Sequence, residues 1–151
     1  MKKAGNKPDA ETILHVFHLK KTKPRLAVLS ILDSKDMAIA YPALAKKMKN
    51  TNRATLYGVL LSLEAKGVVY KIFDLRGVAH YALCSFDQSR TKPHFYLHFN
   101  CSACKKIYCL NEPDLPPTLL AEGFHAVRFT LCINGICPKC HKKGLLSNKI
   151  Q

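Results

Sequence analysis

Through the first 67 residues the apolar positions recur every three or four places, the spacing of one buried face of a helix. Ala10 to Leu19 carries Ile13, Leu14 and Phe17, with Val16, on one side. Thr22 can cap a second helix that tolerates Pro24 in its first turn and buries Leu26, Leu29 and Leu32 together with Val28 and Ile31. A third, short helix is expected from about Tyr41 to Met48, with Pro42 in its first turn. In the fourth, Leu56, Val59, Leu60 and Leu63 follow the i, i+3, i+4, i+7 pattern, Asn52 or Thr51 serves as N-cap, and Gly67 is the stop.

After Gly67 the period changes to that of strands. Val68 to Phe73 and Val78 to Leu83 flank the turn Asp74-Leu75-Arg76-Gly77, and helices followed by a two-stranded ribbon make a winged helix-turn-helix. Further on, Phe95 to Asn100, Ile107 to Leu110 and Ala126 to Ile133 read as strands, and Thr118 to Glu122 as a short helix stopped by Gly123. The polar stretch Ser85 to Pro93 separates the two patterns. The fold class expected is α+β: a winged-helix unit over 1–84, a hinge over 85–93, and a small α/β unit over 94–151 whose apolar content is too thin to stand alone.

Composition sharpens this picture through charge. Among 151 residues, 24 are Lys or Arg and 10 are Asp or Glu, a formal net charge of +14. Such an excess stores self-repulsion and suits a polyanionic partner, either nucleic acid or an anionic membrane surface. The longest apolar runs, such as Val59-Leu60-Leu61, fall far short of the roughly 20 residues that cross a bilayer. The first residues open like the charged region of a signal peptide, but no apolar stretch follows. The expected location is the cytoplasm, where the 7 cysteines point to metal ligation before disulfides.

None of those cysteines lies in residues 1–83. Cys101-Ser102-Ala103-Cys104 and Cys137-Pro138-Lys139-Cys140 are two C-x-x-C pairs. Two intervening residues set both sulfurs on one side of a tight turn, and two such turns supply the four thiolates of a closed zinc site. Gly135 before the second pair, and Lys105 and Lys106 after the first, suit knuckle turns. Redox dithiols or incidental buried thiols are the competing reading, but the duplication favours zinc. Four thiolates leave no open coordination position, so the role of this zinc, one per protomer, is structural.

Cys84, Cys109 and Cys132 remain, amid His80, His94, His98 and His125. His80 and Cys84 close a strand beside the hinge, His94 and His98 precede the first knuckle, and Cys109 follows it. A mixed His/Cys set of this kind could hold a second, exchangeable zinc. The plainer reading makes the cysteines small buried apolar residues and the histidines fillers. Cys132, inside a strand pattern, and His125 read as packing.

If the fourth helix enters a major groove, its early residues Asn52, Arg53, Thr55 and Tyr57 reach phosphates and base edges. Lys23 and Arg25, among the basic residues before and within the second helix, would track the DNA backbone, and Lys71 and Arg76 would reach it from the wing. A basic run is ordinarily just a solvated face; the charge excess and the winged-helix order favour double-stranded DNA here.

These residues together resemble the ferric uptake regulator superfamily, and within it the zinc uptake branch. Thr22-Lys23-Pro24-Arg25 is similar to its T-x-x-R, Ala54-Thr55-Leu56-Tyr57 to its A-T-V-Y recognition-helix signature, and His98 to Cys104 to H-x-x-C-x-x-C. Gly123-Phe124 and Gly135 to Cys140 resemble its C-terminal G-F and G-x-C-x-x-C, so the likeness runs through nearly the whole chain in order. Tyr81 to Cys84, followed by Phe86-Asp87-Gln88, is similar to the zinc branch, where a cysteine at that strand end is a sensor ligand.

The resemblance implies a homodimer, an N-terminal winged helix, a C-terminal α/β dimerisation domain with a four-cysteine zinc, and repression of metal-uptake genes from an inverted-repeat operator. It also implies a hinge metal site that sets the spacing of the DNA-binding units. Carried over, Cys84 and either His94 or His98 become regulatory ligands, with Cys109 where the zinc branch has a carboxylate and His80 as a further candidate. This chain departs from the pattern with Gly58 in place of the usual Arg, Tyr70 at a ligand position, Phe95-Tyr96-Leu97 within the histidine cluster, Ala82 where iron sensors supply a carboxylate, and Phe129 where a histidine is expected. The departures speak against iron sensing. Two other classes stay open: a constitutive DNA-binding relative with a decayed sensor, and a zinc hydrolase or thiol redox enzyme using Cys84 or Cys109, for which no general acid or base sits at catalytic spacing.

Overall fold

The computed structural model describes residues 8–33, 37–84, 94–110, 123–124 and 128–145, with residues 94–96 and 128–129 as backbone alone. The chain divides into two compact units, Met1–Phe86 and Asp87–Gln151. The hinge expected over 85–93 and the short helix expected at Thr118 to Glu122 lie outside the described residues.

The first unit runs α1 (Ala10–Val16), α2 (Lys23–Asp33), β1 (Met37–Ala40), α3 (Tyr41–Lys47), α4 (Arg53–Ala65), β2 (Val69–Phe73) and β3 (Ala79–Leu83). Helices α1 and α4 begin where side chains satisfy the orphan amides of a first turn. Asp9 accepts from the Thr12 amide at 2.8 Å, and Asn52 from the Thr55 amide at 2.7 Å. Helix α4 ends at Gly67, whose φ of +71° lets the Val68 amide return to the Leu63 carbonyl at 2.9 Å.

Leu14, Val28, Leu29, Leu44, Leu56, Leu60 and Leu63 form one core, closed on the sheet side by Val69 and Tyr81. Burial of each of the larger side chains contributes about 1.5–3 kcal/mol before the entropy of ordering is charged against it. The sheet corrects the expected two-stranded ribbon. Beside the antiparallel β2–β3 hairpin, β1 pairs with β3 in the register Ile39 with Tyr81 and Ala40 with His80. Met37-Ala38-Ile39-Ala40 is too short and too uniformly apolar to show a strand period, so only its pairing reveals it.

The second unit contains β4 (His94–Cys101), β5 (Ile107–Leu110), β6 (Arg128–Gly135) and α5 (Pro138–Lys142), a five-residue helix the apolar pattern did not announce. Central β4 pairs antiparallel with β5 and parallel with β6. Two registers position the chemistry. His98 stands opposite Cys109 on one side and Cys132 on the other, and Cys101 stands opposite Gly135.

Candidate metal centre and nucleic-acid interface

The first C-x-x-C pair occupies the turn from β4 to β5, and the second leads from β6 into α5. Lys105 adopts the left-handed conformation, φ +60°, closing the first turn with its amide 2.9 Å from the Cys101 carbonyl. Ser102 ties the two turns together, its amide 2.8 Å and its hydroxyl 3.0 Å from the Gly135 carbonyl. A Cβ at Gly135 would meet the Phe99 ring at 3.0 Å, so any larger residue there would push that ring by a few tenths of an ångström.

The four sulfurs of Cys101, Cys104, Cys137 and Cys140 all lie within 4.8 Å of one another, and none is in a disulfide. Thiolates bound to zinc at about 2.3 Å in a tetrahedron stand about 3.8 Å apart. Cys104 and Cys137, one from each turn, stand 3.9 Å apart, so the donor set fits that ion. Cys101, Cys137 and Cys140 are buried, with Phe99, Ala103, Tyr108 and Ile136 packed against them.

Concentrated negative charge in a buried site needs donors, and the two turns provide them unevenly. Burial pushes the Cys101 thiol up, but the amides of Cys104, Cys137 and Ala103 outweigh it and hold the group below its ordinary range; the Cys137 amide lies 3.3 Å from the sulfur. The Tyr108 hydroxyl, helped by the Cys140 amide, draws Cys137 down to about 6. Burial, with the neighbouring sulfurs of Cys137, Cys104 and Cys101, pushes Cys140 up to about 12.

The remaining candidate ligands are distributed differently from the sequence expectation. His80 and Cys84 are four residues apart along β3 and its end, a span of about 13 Å. No single ion can take both, and His80 leaves the candidate set. It faces Asp74 instead, with Nε2 3.3 Å from the carboxylate. His94 opens β4 four residues before His98, and the side chain of His94 lies outside the described residues. His98 is the histidine in register with Cys109. Burial lowers the His98 pKa to about 4, leaving the neutral imidazole that ligates metals. Cys132, expected in packing, is exposed on β6, and the Asn100 amide donates to its sulfur at 3.5 Å. Among the described residues, the four cysteines are the only cluster of three or more such donors.

Arg53, Thr55 and Tyr57 are exposed on α4, and Lys23 at the start of α2. Other expected DNA contacts are committed within the protein. Arg25 donates to the Lys20 carbonyl at 2.7 Å and to the Ser62 hydroxyl at 3.3 Å, joining α2 to α4. Lys71 pairs with Glu64 at 3.4 Å. Asn52 spends its side-chain oxygen on the helix cap. Arg76 holds the Asp74 carboxylate from Nη2 at 2.9 Å and Nε at 3.2 Å.

Asp74 is the residue that sequence reading missed. It is buried, and it accepts from the amides of Arg76 and Val78 and from the side chains of Arg76 and His80. Burial raises its pKa, but these donors win and hold it well below the carboxylate range. An aspartate opening a four-residue turn was the available signal, and it reports the turn without the buried network.

The model of the ferric uptake regulator family matches residues 17–131. The transcriptional regulator FurA of Mycobacterium tuberculosis is 28% identical over 146 residues, covering 88% of this chain and 90% of its own length. Among solved structures, the ferric uptake regulator of Helicobacter pylori, described as having three functional metal-binding sites, has a TM-score of 0.59 at 19% identity over 93% of this chain and 97% of that one. A zinc uptake regulator complexed with zinc and DNA has a TM-score of 0.61 at 22% identity, over 89% and 92% respectively.

Proposed function

The chain belongs to the ferric uptake regulator family, whose members are transcriptional regulators and not enzymes, and from that premise we propose that it is a zinc-responsive repressor acting as a homodimer in the cytoplasm. The observation that carries the zinc assignment is the four-sulfur set, whose spacing and softness match that ion. In this reading the first unit is a winged helix. Helix α4 enters the major groove, with Arg53, Thr55 and Tyr57 toward DNA, and Lys23 meets the phosphates.

Structural zinc, when bound, offsets half of the thiolates' negative charge and fastens the turn after β4 to the turn before α5. The second unit is then a fixed body from which a partner copy is engaged. Edge strand β6, with Leu131 and Ile133 exposed, is a surface suited to a second copy. Regulation needs donors that an exchangeable second zinc can link. Cys84, His98 and Cys109 are the candidate ligands of that exchangeable ion, whose binding biases the DNA-competent arrangement. Thiolates at Cys84 and Cys109 favour zinc over iron at such a site. A two-fold dimer reads an inverted repeat, and its affinity falls with salt as phosphates are neutralised.

Selection of duplexes from a random-sequence pool, with and without zinc, tests the reading. Enrichment of an inverted repeat only with zinc is expected. Equal enrichment under both conditions overturns zinc responsiveness, and no enrichment overturns sequence-specific binding.

A further inference from the structure

Between β2 and β3 the chain reverses over Asp74-Leu75-Arg76-Gly77. The turn is closed by the Asp74 amide, 3.0 Å from the Val78 carbonyl, and by the Gly77 amide, 2.9 Å from the Asp74 carbonyl. A carboxylate buried at such a turn is stable only if its oxygens find donors. Oδ1 of Asp74 accepts from the amides of Arg76 at 2.8 Å and Val78 at 2.9 Å. Oδ2 faces Nε2 of the buried His80 at 3.3 Å and accepts from Nε and Nη2 of Arg76 at 3.2 and 2.9 Å. The two amides fix the carboxylate to the turn, and the carboxylate in turn fixes the guanidinium.

That grip uses one edge of a planar fork. Nε and Nη2 form the side edge of the guanidinium, which meets Asp74; the end edge, an N–H of Nη1 beside the second N–H of Nη2, meets no acceptor among the described residues. The Asp74 side chain is 4% exposed and that of Arg76 57%, so a solvated fork stands on a buried anchor. Neutralising Asp74 needs only a cation, which a lysine would supply; arginine adds an edge that Asp74 does not use. Two parallel N–H groups match two oxygens of a phosphate. Leu75 and Gly77 on either side are exposed, and a Cβ at Gly77 would meet nothing within 4 Å, so the approach to Arg76 is open.

We propose that Asp74 is a positioning residue for DNA binding: it holds Arg76 side-on, so that the end edge of the guanidinium grips one backbone phosphate in two parallel hydrogen bonds. This inference rests on the winged-helix reading, in which the β2–β3 hairpin lies beside the DNA while α4 occupies the groove. Lys71 on β2 pairs with Glu64 on α4 at 3.4 Å, so the hairpin that carries Arg76 is tied to the helix that carries Arg53, Thr55 and Tyr57. A fork already ordered before DNA arrives loses less side-chain entropy on binding. A carboxylate near DNA ordinarily repels phosphate; this one raises affinity through the arginine it orients.

Full-length protein with zinc is titrated by fluorescence anisotropy over a series of salt concentrations, using a duplex that the wild type enriches from a random-sequence pool. A wild-type protein that binds no duplex overturns the DNA-binding reading and this proposal with it. Arg76→Ala is expected to weaken binding about tenfold and to lower the salt slope by about one per protomer. Arg76→Lys keeps the charge but has one ammonium to share between carboxylate and phosphate, and is expected to match Arg76→Ala in affinity and slope. Asp74→Asn removes a negative charge, yet is expected to weaken binding about threefold when Arg76 is present and to cause no loss in the Arg76→Ala background. Circular dichroism establishes that each variant is folded in the assay; should Asp74→Asn not fold, Arg76→Lys decides alone. Wild-type binding by Arg76→Ala or Arg76→Lys, undiminished binding by folded Asp74→Asn, or an equal loss from Asp74→Asn without Arg76, overturns the positioning role and leaves DNA binding standing.

Discussion

Cys104 and Cys137 lie 33 positions apart in the sequence, yet their sulfurs are separated by 3.9 Å. Among the described residues, the core around the site consists of Cys101, Cys137 and Cys140 with Phe99, Ala103, Cys104, Tyr108 and Ile136 packed against them. The ion is therefore expected to supply folding energy to the second unit, as structural zinc does in small domains.

Removing the ion should unfold the second unit alone. Chelation of the purified protein, or Cys137→Ser, is expected to melt the second unit while α1–α4 remain folded around their leucine core. Hydrogen exchange resolves this, with amides of β4 to β6 losing protection and those of α2 and α4 keeping it.

Asp74 gives the β2–β3 turn a defined pH dependence. Its pKa is held below the ordinary 3.8, so the unfolded chain takes up this proton at higher pH than the folded one. The stability it lends is complete above that ordinary value and is lost as pH falls through it toward the lower folded value. Asp74→Asn is expected to destabilise the first unit at neutral pH by about 2 kcal/mol and to flatten its acid-unfolding limb. Denaturant titrations between neutral and acid pH measure both effects.

Gly58 sits on the exposed side of α4, and a Cβ there would meet nothing within 4 Å. Glycine inside a helix costs about 1 kcal/mol relative to alanine, so Gly58→Ala should raise stability by about that amount. Gly58→Arg restores the cation common in the family and should, in addition, steepen the dependence of DNA affinity on salt by about one phosphate contact per protomer. Thermal melts and salt-dependent binding titrations check the two arms.

Arg25 and Arg53 should separate cleanly. Arg25→Ala breaks bonds to Lys20 and Ser62, so loss of stability of about 1 kcal/mol is expected. Arg53→Ala leaves stability within about 0.5 kcal/mol of wild type and weakens DNA binding by about 1–3 kcal/mol. Melting temperatures alongside fluorescence anisotropy with a selected duplex distinguish a brace from a contact.

Much of the fold was legible because its signals are local. Asn52 and Gly67 bound α4 in the sequence as they do in the structure, and the Asp74 to Gly77 turn reads from its residues alone. Strand β1 was not legible: four small or apolar residues carry no period, and their strand character comes from pairing with β3. Helix α5 was hidden by its cysteine and by having only five residues.

At the candidate sites, repetition of C-x-x-C made the four ligands visible, since chelation imposes the spacing itself. His80 misled because proximity in sequence is not proximity along an extended strand, where four residues carry a side chain about 13 Å away. At Arg25 and Arg76 charge showed only a cation, and the internal acceptors that their guanidinium groups also hold carry no sequence signal.

Native mass spectrometry of the full chain, purified without chelator, addresses the metal centre most directly. One tightly held zinc per protomer, lost on Cys104→Ser or Cys137→Ser with thiols otherwise reduced, is the result the four-sulfur site requires. A folded wild-type protein carrying no metal, or one lighter by the hydrogens lost to disulfides among these cysteines, contradicts it.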